Sequence, residues 1–160
     1  MSNIVPFISR PTLSAQENLH SFITQAKQAR FFTGEGAINW DDNTWHLQPW
    51  VKHRGAPRTY TIHFVIFESS GRAKIKSCLA EPFLSATKAL IVYGFNHAAT
   101  TPYRWCIALR MIEKAFRLLN RQPDITQLDT TILDKAASLI VDKYKDASDI
   151  GTALQNVANA

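Results

Sequence analysis

The sequence predicts a mainly α fold of the α+β kind, and three observations carry that expectation. From about residue 81 to the end, apolar side chains recur at helical spacing with only short interruptions. One earlier stretch, Thr59–Phe67, alternates like a strand, with Tyr60, Ile62, Phe64 and Ile66 on one face. Between the chain start and that strand, Gly34, Gly36 and Asp41-Asp42-Asn43 punctuate short elements. Two regions follow. Residues 1–76 should form an N-terminal helix with a small antiparallel β unit, and residues 77–160 a bundle of four helices.

The first helix is expected over about 13–29. Pro11-Thr12-Leu13-Ser14 supplies its start, and Leu19, Phe22, Ile23 and Ala26 its apolar face. Over about 38–47, Ile38-Asn39-Trp40 and Thr44-Trp45 read as two extended pieces around an Asp/Asn turn. A strand over about 58–68 closes at Glu68-Ser69-Ser70-Gly71. Lys52-His53-Arg54-Gly55 and Arg72-Ala73-Lys74-Ile75-Lys76 flank it as loops. Glu81-Pro82 suits a first helical turn. The segment from there to Phe95 is apolar nearly all round, which marks a central helix. Asn96–Pro102 reads as a loop and Tyr103–Asn120 as the next helix. Asp124–Asp129 is a turn in which Thr126 and Asp129 resemble a capping box for a third helix through Tyr144. Ser148 can cap a fourth from Asp149. Leu154–Ala160 carries no stop signal, so the chain is expected to continue downstream.

Charge is unevenly distributed. The net charge is +5, yet residues 1–50 hold three Lys/Arg against four acids. Residues 51–76 hold six against Glu68 alone, 77–123 six against two, and 124–160 three against six. A basic middle of this kind suits a polyanionic partner. Ala89–Phe95 is too short to span a bilayer. Met1–Pro6 lacks the basic start of a secretory leader, and Cys78 and Cys106 stand alone. Together these point to the reducing cytoplasm.

The Tyr103–Asn120 helix separates into two faces. At 100° per residue, Arg110, Lys114, Arg117 and Arg121 fall within about 60° of one another, with Tyr103 on the same line. Trp105, Leu109, Ile112, Phe116 and Leu119 lie opposite. The basic ladder would be about 16 Å long and could follow a phosphate backbone. The bland alternative is a solvated face, with Glu113 and Asp134 placed to offset part of it. The basic loops around the strand could grip a backbone as well, or serve only solubility. Trp40, Trp45, Trp50, Tyr60, Phe64 and Phe67 read as a core before they read as a base-stacking platform.

Signals for catalysis are thin. His20, His46, His53, His63 and His97 show no metal-ligand spacing, and Asp41-Asp42 are adjacent in a turn. Gly34-Glu35-Gly36 lacks the Lys-Ser/Thr of a phosphate loop, and Cys106 falls near the core seam. The expectation is no catalytic residue, no cofactor and no metal.

The helical half resembles the core-binding, SAM-like domain of tyrosine recombinases and phage integrases. Glu81-Pro82-Phe83-Leu84-Ser85-Ala86-Thr87-Lys88-Ala89-Leu90 looks like that family's opening helix. Thr100-Thr101-Pro102-Tyr103-Arg104 followed by Leu109, Ile112 and Phe116 resembles its second. Asp124-Ile125-Thr126 before Leu133 resembles its third, and Asp149–Leu154 would begin its fourth. In the first half, Ile4-Val5-Pro6-Phe7, Glu17-Asn18-Leu19 and Trp40–Trp45 look like a narrower group of long bacterial integrase-like proteins. The resemblance implies a helix that approaches the DNA major groove, and it places Tyr103–Arg121 there. It also implies catalysis by an Arg, a His-x-x-Arg and a nucleophilic Tyr in a separate C-terminal domain. No His here is followed three residues later by Arg. The expected function is therefore a non-catalytic DNA-binding region that positions duplex DNA for that domain. Tyr103, Arg104, Arg110, Lys114, Arg117 and Arg121 would contact DNA, with Lys74 and Lys76 as auxiliaries. Contacts would be mainly to phosphates, and a homo-oligomer on DNA is compatible with them. No membrane and no small-molecule substrate are expected. The alternative is a protein-interaction or oligomerisation module that never touches DNA.

Overall fold

The computed structural model describes residues 7–33, 36–50, 61–67, 76–95 and 100–143. Among them are four α-helices and two sheets of two antiparallel strands each, so the chain is mainly α with a small β component. None of these helices is long and apolar enough to cross a membrane. Contacts gather the chain into two compact units, each discontinuous in sequence. One draws on Met1–His63 and Ser85–Tyr103, the other on Phe64–Leu84 and Arg104–Ala160. Neither coincides with residues 1–76 or 77–160.

In the first unit, helix α1 (Ala15–Lys27) starts with a complete capping box. The Ser14 hydroxyl accepts from the Glu17 N–H at 3.2 Å, and the Glu17 carboxylate accepts from the Ser14 N–H at 2.8 Å. Those hydrogen bonds hold the Glu17 carboxyl below the usual glutamate range. Asn18 then ties the preceding segment to the helix, accepting from the Arg10 N–H and donating to the Arg10 carbonyl. Strand β1 (Thr44–His46) pairs with β2 (Thr61–His63), with Trp45 opposite Ile62. Both side chains are buried.

The expected strand at Ile38–Trp40 is absent, for a local reason. The Asn39 side chain accepts from the Asp41 N–H at 3.1 Å, and the Asn39 carbonyl accepts from the Trp45 indole N–H at 3.0 Å. With side chain and carbonyl both committed to the turn, this piece folds back instead of pairing. Most of helix α2 (Phe83–Gly94) belongs to this unit, and Ala86, Ala89, Ile91 and Val92 are buried on it. Phe31 meets Phe95 edge-on at 4.9 Å, and Phe22 stacks on Tyr93 at 4.6 Å.

In the second unit, β3 (Val65–Phe67) pairs antiparallel with β4 (Lys76–Cys78). The single strand expected over 58–68 is thus divided at Phe64 between β2 and β3, which have different partners. Phe64 is fully buried and its carbonyl accepts from the Leu79 N–H. Period-two alternation runs unbroken through Phe64, so it signals extended backbone without revealing a change of partner. Lys76, expected in a loop, opens β4; Arg72–Ile75 lie outside the described residues.

Helix α2 starts at Phe83, after Glu81-Pro82 and not on it. Helix α3 (Thr100–Leu118) begins three residues earlier than expected, with Pro102 tolerated in its first turn. It closes in a Schellman arrangement: Asn120 is left-handed (φ 53°), and the Arg121 N–H reaches the Phe116 carbonyl at 2.9 Å. Helix α4 (Thr130–Lys143) is capped by Asp129, whose carboxylate accepts from the Ile132 N–H at 3.0 Å. Thr126 is not the cap. It sits in a 3₁₀ turn (Ile125–Gln127) and binds Asp124 instead. The expected fourth helix from Asp149 lies outside the described residues.

The core of this unit joins Phe83 and Phe116, 6.2 Å apart, to Leu109, Ile112, Ile132 and Ile140. Replacing Phe116 by Ala should cost about 3–5 kcal/mol of stability. Urea unfolding checks it, and a loss below about 1 kcal/mol would mean that this ring is not central to the core.

Candidate nucleic-acid interface

The division of α3 departs from the expected one: Cys106 and Glu113, within about 60° of Arg110 on the ladder side, are both buried. Cys106, Leu109, Ile112, Ala115 and Phe116 are buried, whereas Arg104 is exposed and Arg110, Lys114 and Arg117 are partly so. Trp105, placed on the core side, is only half-buried. What the structure revises is the ladder itself.

Arg117 is committed to the interior. Its Nε donates to Glu113 Oε1 at 2.9 Å, Nη1 to the Ser77 hydroxyl at 3.0 Å, and Nη2 to the Cys78 carbonyl at 2.8 Å. Nη2 also reaches Glu113 Oε1, completing an ion pair. A guanidinium has five N–H donors, and four serve these bonds. The expected phosphate ligand is thus a clasp between α3 and β4.

Glu113 is fully buried. Its Oε1 accepts from the Ala80 N–H at 3.0 Å as well, while Oε2 has no hydrogen-bond partner among the described residues. Burial pushes the Glu113 carboxyl above the usual glutamate range, against the opposing pull of the Ala80 N–H and of Arg117.

Arg121 also leaves the ladder. Helix α3 stops at Leu118, so the straight eleven-residue run from Arg110 to Arg121 does not exist. Beyond left-handed Asn120, Arg121 lies over the Phe116 ring at 5.6 Å. It donates to Asp129 at 2.7 Å and to the Gln127 carbonyl at 3.1 Å. The acids that meet the basic face are therefore Glu113, as anticipated, and Asp129 in place of Asp134. The Ile132 N–H and Arg121 hold the Asp129 carboxyl below the usual aspartate range.

Arg110 lies one turn after Cys106, with its Nε buried. Burial pushes that thiol up, and Arg110 pulls the other way. Arg104 and Lys114 form no ion pair among the described residues. Tyr103 falls in the first turn of α3 and Lys76 at the start of β4, both placed by backbone alone. Lys74 lies outside the described residues. Among the described side chains, Arg104 is exposed and Lys114 partly exposed on α3, whereas Arg110 buries its Nε.

Lys88 was missed. It is 2% exposed in the middle of α2, and its Nζ donates to the Trp40 carbonyl. The Trp45 and Trp40 rings lie 5.7 and 5.9 Å away, and Lys27 sits 5.2 Å from the Trp40 ring. The sequence did carry a signal, because Lys88 is the only charge in a helix that is otherwise apolar all round. Trp40 and Trp45 are buried beside that ammonium, which does not leave them as a base-stacking platform.

Two outcomes follow for the clasp. Glu113→Leu should destabilise by up to about 3–5 kcal/mol by stranding Arg117, the upper end being reduced because Arg117 is one-third exposed. Glu113→Gln keeps an acceptor for Ala80 and should cost clearly less. A carboxyl with a raised folded pKa favours the fold while protonated, and that contribution is lost as pH rises through the folded value. Thermal unfolding of Glu113→Gln should therefore lack the part of the wild-type decline that occurs just above the usual glutamate range. Identical pH profiles would rule out titration of Glu113 as its source. No family model, no curated protein and no solved structure matches this chain.

Proposed function

We propose that this chain is a non-catalytic DNA-engaging module, the N-terminal region of a tyrosine-recombinase-like integrase. It positions duplex DNA for a catalytic domain elsewhere in the protein. The observation that carries the reading is the division of α3. One side is locked into a core by Leu109, Ile112 and Phe116, and Arg104 and Lys114 reach the surface from the same rigid element. A helix so anchored can hold cations against a phosphate backbone with little loss of conformational freedom, and each contact releases counterions. The formal charge of +5, concentrated in the middle of the chain, supports the same partner. Contacts of this kind position a duplex without reading its sequence.

The test is duplex binding across about 50 to 200 mM salt. Wild type should show a steep loss of affinity, and Arg104→Ala/Lys114→Ala should flatten the logarithmic salt slope by about 2. Arg121→Ala should leave the slope unchanged, since its guanidinium faces Asp129 and Gln127. Absence of binding at low salt by a folded protein sinks the reading. Salt-insensitive self-association in the same samples would favour the protein-interaction alternative.

A further inference from the structure

We propose that Glu113 and Arg117 form a proton-operated charge switch on α3. With Glu113 ionised, the Arg117 charge is masked. With Glu113 protonated, that charge adds to the field a polyanion meets. The inference rests on the DNA reading above and supplies it with a regulation.

The two oxygens of Glu113 have different surroundings. Oε1 accepts from the Ala80 N–H at 3.0 Å, from Arg117 Nε at 2.9 Å and from Arg117 Nη2. Oε2 is buried and has no hydrogen-bond partner among the described residues. A proton can therefore sit on Oε2 while Oε1 keeps all three donors, because a neutral carboxyl still accepts hydrogen bonds. The clasp between α3 and β4 holds in either state, and only the charge of the pair changes, from zero to +1. Burial favours the protonated form. Arg117 is the one charged side chain among the described residues, from any element, that opposes it. The other opposing group is the Ala80 N–H, on the segment after β4. On β4 itself Arg117 meets the Ser77 hydroxyl and the Cys78 carbonyl, neither of which titrates.

The switched charge lies where a bound phosphate senses it. Arg117 is one-third exposed and stands three residues after Lys114, which is partly exposed. Positions so spaced lie about 60° apart around a helix, with Cβ atoms about 5–6 Å apart. That separation is inside the Debye length of about 8 Å at physiological ionic strength. A phosphate held at Lys114 disfavours the Glu113 anion, so binding takes up a proton. Affinity therefore falls as pH rises through the folded Glu113 value.

Two measurements on the whole chain test this. In the first, carbon-detected NMR follows the Glu113 carboxyl against pH, with and without a duplex of about 20 base pairs. Its midpoint should lie above the usual glutamate range and move higher when the duplex is added. A midpoint within that range, or one that the bound duplex does not move, overturns the switch. In the second, duplex affinity is measured from about pH 5 to 8 at several salt concentrations. The logarithmic salt slope of wild type should become shallower by up to about 0.9 as Glu113 ionises, the contribution of one cation. Glu113→Gln should hold the low-pH slope throughout. The same pH dependence in both proteins would place it on other groups, overturning the switch and leaving the DNA reading. Absence of binding by folded wild type at every pH overturns both. Should Glu113→Gln not fold, the NMR titration of wild type decides alone.

Discussion

Glu113 imposes the main constraint on the second unit. A carboxylate with no exposed surface must find donors or be neutralised, because leaving it unpaired in a low-dielectric interior costs several kcal/mol. Its Oε1 meets the requirement with donors from two directions, the Ala80 N–H and Arg117. Arg117 in turn engages Ser77 and Cys78, so α3 and the end of β4 have one compatible arrangement. The apolar contacts of Phe83, Leu109, Ile112 and Phe116 supply bulk stabilisation that many packings could share. The charge-assisted bonds are directional, and they select among those packings.

The first unit repeats the theme with the opposite sign. Lys88 is buried in α2 and donates to a backbone carbonyl beside two indole rings. Its donor finds Trp40, which the Asn39 turn has already folded back towards the core. The turn that removed the expected strand at Ile38–Trp40 and the burial of Lys88 are therefore parts of one solution. A straight strand there would place the Trp40 carbonyl in a ladder and leave the ammonium to be satisfied some other way.

Much of the fold was legible because it depends on local chemistry. Ser14 and Glu17 specify a helix start by bonds that close within four residues, and apolar periodicity identifies α2, α3 and α4. The division at Phe64 was not legible, since strand alternation is indifferent to which neighbour supplies the hydrogen bonds. Nor was the cap at Asp129 in place of Thr126. Both residue types can cap, and Asp124 decides the matter by taking Thr126 into a 3₁₀ turn. For the site, the helical wheel grouped Arg110, Lys114 and Arg117 but could not show that Cys106 and Glu113 on the same side are buried. It could not show that Asn120 would terminate the helix before Arg121, or that Arg117 would turn toward β4.

Counting charges along a sequence therefore overstates the field that a partner would meet. Six of the 18 Lys and Arg lie in residues 77–123. Lys88 is interior, Arg117 is compensated by Glu113, and Arg121 is compensated by Asp129. On α3, Arg104 is exposed and Lys114 partly exposed, whereas Arg110 buries its Nε. On the DNA reading proposed above, fewer free cations than the sequence suggests would mean fewer counterions released and a shallower salt dependence. Whether a basic residue serves the fold or the partner is decided by the acids and carbonyls within its reach. Those neighbours come from distant parts of the chain.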